Sequence, residues 1–115
     1  MEKSNEEKYE ARARLEKIDD KIAKKNAEIK RLSEELDDIY DMCRQSDNEY
    51  EEILSYWAGT PAFRRMSESN DTRKTLFRKL ITNREADLRN AKEERKRLLD
   101  AEEEIRFKHK AHEEA

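Results

Sequence analysis

The chain has 115 residues, 48% of them charged and 34% hydrophobic, and 26 basic against 29 acidic side chains leave a net charge of −3. That length allows one domain, but so little apolar surface excludes a conventional enclosed core, and interleaved charges of both signs give no electrostatic reason to bind nucleic acid or an anionic membrane. Disorder is disfavoured because the net charge is small, glycine and proline occur once each, and the apolar residues are periodic.

No apolar run approaches the roughly 20 residues of a membrane span, and the opening Met1-Glu2-Lys3-Ser4-Asn5-Glu6-Glu7 lacks the features of a signal peptide. The expectation is a soluble, cytoplasmic chain. A single cysteine, Cys43, rules out an internal disulfide and fits a reducing compartment.

The first arm, expected as a helix over about 4–58, has a regular seam. Ala11, Leu15, Ile18, Ile22, Lys25, Ile29, Leu32, Leu36, Ile39, Cys43, Ser46, Tyr50, Ile53 and Trp57 alternate in steps of four and three. Twelve of these 14 positions are apolar or aromatic, which is the heptad seam of a coiled-coil helix. Lys25 and Ser46 read as defects that set register. Toward the end of the arm the pattern widens, because Tyr40, Met42, Leu54 and Tyr56 are apolar residues off the seam.

The arm stops at Tyr56-Trp57-Ala58-Gly59-Thr60-Pro61-Ala62-Phe63, which holds the only tryptophan, glycine and proline. Gly59 can take the left-handed conformation that ends a helix, the Thr60 side chain can accept from the first free amides of the next one, and Pro61 suits the first helical position. The turn is therefore expected at 59–60.

A second helix follows over about 61–111. Its stripe runs through Phe63, Met66, Phe77, Leu80, Ile81, Leu88, Ala91, Leu98 and Ile105, widened by Leu76 beside Phe77. The register from Phe77 on implies a local shift from the Phe63, Met66, Asn70, Arg73 series. Ser67-Glu68-Ser69-Asn70-Asp71-Thr72 is poor in helix formers, so a kink or break is expected at 67–71.

Two arms of nearly equal length joined by a tight turn predict an all-α fold, a long antiparallel helix-turn-helix hairpin of coiled-coil type. Pairing Trp57 with Phe63 sets Cys43 near Phe77, Leu32 near Leu88, and Ile22 near Leu98. All the off-seam apolar residues of both arms are then expected in the half nearest the turn, and an exposed apolar strip on a hairpin marks a place where partner helices pack. Tyr40, Leu54, Tyr56, Trp57, Phe63, Leu76 and Leu80 are the candidate partner-binding residues. The alternative is that they only widen the intramolecular seam.

Signals of catalysis are missing: no Gly-rich phosphate loop, no His-Glu-Xaa-Xaa-His, no Cys-Xaa-Xaa-Cys, and no concave pocket expected of two helices. The expectation is a non-enzyme with no cofactor and no metal. His109, His112 and Glu113 lack a third preorganised ligand and read as a solvated terminus. Cys43 on the seam reads as a small buried hydrophobe. Arg73, Arg84, Arg95 and Arg106 recur every 11 residues, and pairing with first-arm carboxylates such as Asp47 or Glu28 suffices to account for them.

Trp57-Ala58-Gly59 reads Trp-Xaa-Gly at the centre of a hairpin of about one hundred residues. In this the chain resembles the WXG superfamily of small proteins handled by type VII secretion systems. The resemblance covers the whole chain in architecture, but its diagnostic residues are only Trp57 and Gly59. It implies helix-turn-helix hairpins that pair as four-helix bundles and leave the cell without a cleaved signal peptide. Exported members or their partners carry an aromatic residue followed four positions later by an acid near the end of helix 2; Phe107-Lys108-His109-Lys110-Ala111 lacks the acid. The longer, more charged arms are similar to those of the small accessory hairpins that bind the helical N-terminal LXG domain of a secreted toxin.

The expected function is that of a targeting factor or chaperone, with an LXG-type toxin domain or another WXG-like hairpin as protein partner, acting in the cytoplasm or co-exported. The alternative is a structural scaffold that forms a homodimeric four-helix bundle.

Overall fold

In a computed structural model, which describes the backbone of residues 2–114 and the side chains of residues 5–111, the chain is an all-α antiparallel helix-turn-helix hairpin. Helix α1 spans Glu2–Trp57 (56 residues) and α2 spans Ala62–Glu114 (53 residues). Residues 58–61 form the turn, so the break is four residues wide where two were expected, and Pro61 lies just ahead of the first residue of α2.

Gly59 has φ +81°, in the left-handed region where an L side chain is strained. Thr60 does not cap α2 with its side chain, as its residue type suggests it should. Its hydroxyl donates to the Trp57 carbonyl at 2.6 Å, and its amide donates to the same carbonyl at 3.1 Å. Both therefore satisfy one of the carbonyls left free at the end of α1. The start of α2 is served by the Thr60 carbonyl instead, which accepts from the Phe63 amide at 3.2 Å.

Helix α2 runs through 67–71 as one continuous helix, so the break that these residue types suggest does not occur. The residues that suggested a break are absorbed by the helix. Thr72 Oγ1 donates to the Glu68 carbonyl at 3.1 Å and Thr75 Oγ1 to the Asp71 carbonyl at 3.0 Å, so these hydroxyls bond back within the helix and leave the backbone ladder in place. Asn70 is buried, and its Oδ1 accepts from Arg73.

The hairpin divides into two units: a turn half, Arg31–Leu88, and an end half made of the residues up to Lys30 and from Arg89 onward. Within each half, the seam of α1 is half-buried or buried at every expected position except Ile53 and Trp57. At the turn Leu54 takes the inner side and Ile53 the outer. A heptad advances 20° less than a whole number of turns of a 3.6-residue helix, so a seam kept in register eventually hands over to the neighbouring residue.

On α2 the inner positions are Met66, Asn70, Arg73, Phe77, Ile81, Arg84, Leu88, Ala91, Arg95, Leu98, Glu102 and Ile105. The two successive steps of four at Phe77 are the expected register shift. Only Ile29, Leu32, Leu36 and Ala91 are buried apolar residues among those described, and none of them is completely enclosed, because two helices make a seam and no interior.

Candidate helix-docking surface

Cross-helix polar contacts define the register inside each half. In the turn half Tyr50 meets Ser69, Asp47 pairs with Arg73, and Glu35 pairs with Arg84 at 3.8 Å. In the end half Lys25 pairs with Glu94, and Arg95 donates to Asn26 at 3.2 Å. These levels agree with Cys43 opposite Phe77 and Ile22 opposite Leu98. Three of the four regularly spaced arginines thus reach α1; Arg106 instead pairs with Glu102 on its own helix, and Glu28 pairs with Lys25 and with none of the arginines.

Lys25, a seam defect, is held by Glu28 first and Glu94 second, and both raise its pKa above the usual lysine value. Glu94 is correspondingly lowered by Lys25. Glu102 is raised, chiefly by its hydrogen bond with Asp19, and Arg106 opposes that shift. The end half thus carries two opposed carboxylate shifts, one at exposed Glu94 and one at half-buried Glu102.

The turn half has an apolar groove of about 560 Å³ lined by Met42, Tyr50, Ser69, Thr72, Arg73, Leu76, Phe77 and Leu80. Among the lining residues, Arg73 is the most connected: its guanidinium donates to Asn70, pairs with Asp47, and lies 4.9 Å from the Tyr50 ring centre and 5.8 Å from that of Phe77. Such stacking holds the guanidinium charge against aromatic faces. By contrast, the groove of about 500 Å³ in the end half is walled by Lys21, Lys24, Lys25, Glu28, Glu94 and Arg97, with Leu98 as its apolar lining residue.

Of the seven candidate partner-binding residues, the structure brings Leu76 (62% exposed) and Leu80 together at the groove rim. Tyr56 (80% exposed) and Trp57 form an edge-to-face pair at 5.4 Å beside the turn, with Phe63 also exposed on the far side of it. Trp57 is 37% exposed, so it is not sealed between the arms.

Tyr40 is separate. Two residues along a helix rotate a side chain by about 200°, so Tyr40 and Met42 occupy opposite flanks of the seam. The Tyr40 hydroxyl donates to Glu85 at 3.0 Å, which raises its pKa. Leu54 is half-buried on the inner side. Met42 belongs to the groove and was legible in the sequence as an off-seam residue; the stacking of Arg73 on Tyr50 and Phe77 had no signal there.

Among the described residues no group of His, Cys, Asp and Glu is arranged to hold a metal, and no helix is long and apolar enough to cross a membrane. The His112 and Glu113 side chains lie outside the described residues. Cys43 is half-buried on the seam. The chain matches no protein-family profile, no curated protein and no solved structure.

Proposed function

We propose that the chain is a non-enzymatic targeting factor or chaperone. It binds the helical N-terminal domain of a secreted LXG-type toxin, or a WXG-like hairpin partner, and presents that cargo to a type VII secretion system. One observation carries the reading: of the eleven exposed large apolar residues among those described, eight lie in the turn half. Trp57-Ala58-Gly59 stands in the same half, with Gly59 left-handed at the turn.

In this reading Leu76 and Leu80 are anchors one helical turn apart, the spacing at which an amphipathic partner helix meets a groove. Full burial of such a side chain contributes about 1.5–3 kcal/mol. The exposed Tyr56–Trp57 pair adds aromatic area of the kind that dominates protein interfaces.

Co-expression with the product of an adjacent toxin gene tests the proposal. The toxin domain should co-purify with this chain and be exported poorly without it. Leu76→Glu with Leu80→Glu should abolish the complex while circular dichroism of the isolated chain stays unchanged. A toxin domain that is equally soluble and equally exported in the absence of this chain would falsify the targeting role.

A further inference from the structure

The groove of the end half has two acids among its lining residues, Glu28 and Glu94, and both are paired to the seam lysine Lys25. Glu94 is lowered chiefly by its hydrogen bond with Lys25 and least by Arg97. With both carboxylates committed to Lys25, the remaining charges of the groove are the exposed cations Lys21, Lys24 and Arg97, which make no ion pair among the described residues.

The cations continue beyond the groove. Arg14, Lys17, Lys21 and Lys24 follow one another at steps of three, four and three residues, so they lie along one flank of α1 over about 15 Å. All four are exposed and none is in an ion pair among the described residues. Elsewhere on the outer faces the same spacing joins opposite charges, as in Arg31–Glu35, Arg44–Asp41, Arg64–Glu68 and Lys108–Glu104. Like charges at that spacing oppose the helix. Glu10 and Glu28 stand one step beyond the stripe at either end. From α2, Arg97 faces its upper part, because the Lys25–Glu94 and Asn26–Arg95 contacts set Arg97 level with Ala23, between Lys21 and Lys24.

We propose that this basic stripe, together with Arg97, binds a short phosphate chain, supplied as inorganic polyphosphate or as the triphosphate of a nucleotide. Cations spaced along a helix flank meet a ligand whose negative charges also follow one another in a line. Lysines serve such a chain as point charges, and the Arg97 fork can bond two oxygens of one phosphate. The acids at both ends close the stripe after about three helical turns, which suits a short chain and opposes the continued track of a nucleic acid. The site lies in the end half and stands whether or not the targeting role does.

Isothermal titration of the full chain with sodium tripolyphosphate tests it, with circular dichroism to confirm helix content. Binding is expected to one site and to weaken steeply between about 50 and about 200 mM salt. Lys21→Gln with Lys24→Gln should weaken it about tenfold, and Arg97→Gln severalfold. Arg65→Gln with Lys79→Gln removes the same charge from the turn half and should leave it unchanged. ATP serves as the second ligand: tighter binding than tripolyphosphate assigns the site to a nucleotide, and equal or weaker binding assigns it to the inorganic chain.

The proposal is overturned if neither ligand binds at the lower salt, or if the Lys21 and Lys24 substitutions have no effect. A loss of equal size in the turn-half variant would show attraction to net charge alone. A single-stranded oligonucleotide that binds more tightly than both ligands would make the stripe a nucleic-acid track instead.

Discussion

The turn half and the end half are made from the same two helices and the same alternation of four and three, yet they treat their outer faces differently. In the end half both arms mix their charges almost evenly: nine basic and eight acidic residues in the first 30, eight of each from Arg89 on. Exposed apolar residues there number three among those described, Tyr9, Leu99 and Phe107, scattered along the helices. In the turn half the acids collect on α1, the bases on α2, and an apolar groove opens between them. A mixed surface presents no preferred face to another protein, whereas separated charges flanking an apolar strip define both a face and a direction. The proposed docking surface therefore rests on the turn half, and the end half has no counterpart to it among the described residues.

The largest effect that would sharpen this contrast sits inside the turn half itself. Leu32 is buried at the seam and Leu76 is mostly exposed. Leu32→Ala should cost about 3 kcal/mol, the usual range for a buried leucine, and Leu76→Ala about 0.5 kcal/mol or less. Urea denaturation of the two variants measures this. Equal losses would mean that Leu76 is core, and the groove would lose its claim to be a surface.

Next comes the turn. Gly59→Ala has open space for its Cβ but must adopt φ +81°, so a loss of about 1 kcal/mol is expected from backbone strain alone. A melting temperature that does not move would show that the turn rearranges without cost.

The smallest effect belongs to the end half. The folded pKa of Glu102 is raised, so the folded state binds its proton more tightly than the unfolded chain does. Stability should therefore increase as pH falls through that raised value, and it should be lost again as pH rises. The lowered Glu94 acts in the opposite sense, with its contribution present above the ordinary glutamate pKa and lost at more acid pH. Glu102→Gln should raise the melting temperature slightly at pH 7 and remove the gain on moving toward pH 5. Thermal melts across that range decide it; a variant with the same pH profile as the wild type would break the assignment to the Asp19–Glu102 pair.

Much of this architecture is legible in the chain because helix periodicity is a local property. Leu32, Leu36 and Ala91 fall on the buried line that their spacing predicts, and Gly59 ends α1 because it alone lacks the Cβ that the left-handed conformation excludes. The apolar residues of the candidate surface were visible for the same reason.

Other features depend on where side chains go once two helices face each other. Thr60 and the run 67–71 were misjudged from residue type, since a hydroxyl that can cap a helix can equally bond back to a carbonyl three or four residues earlier. Residue type alone cannot choose between those bonds. Tyr40 and Leu54 were grouped with Leu76 and Leu80 by closeness to the turn, but rotation about the helix axis puts Tyr40 on the opposite flank and turns Leu54 inward.

By itself, then, the sequence determined the two helices, the place where they reverse, and the seam between them, because each follows from spacing along one helix and from a single residue able to take positive φ. Only the tertiary structure decided which off-seam residues share a face. It also set Arg73 against Tyr50 and brought Met42 opposite Leu76 and Leu80, because those relations join residues 23 to 38 positions apart and exist only once α2 has folded back on α1.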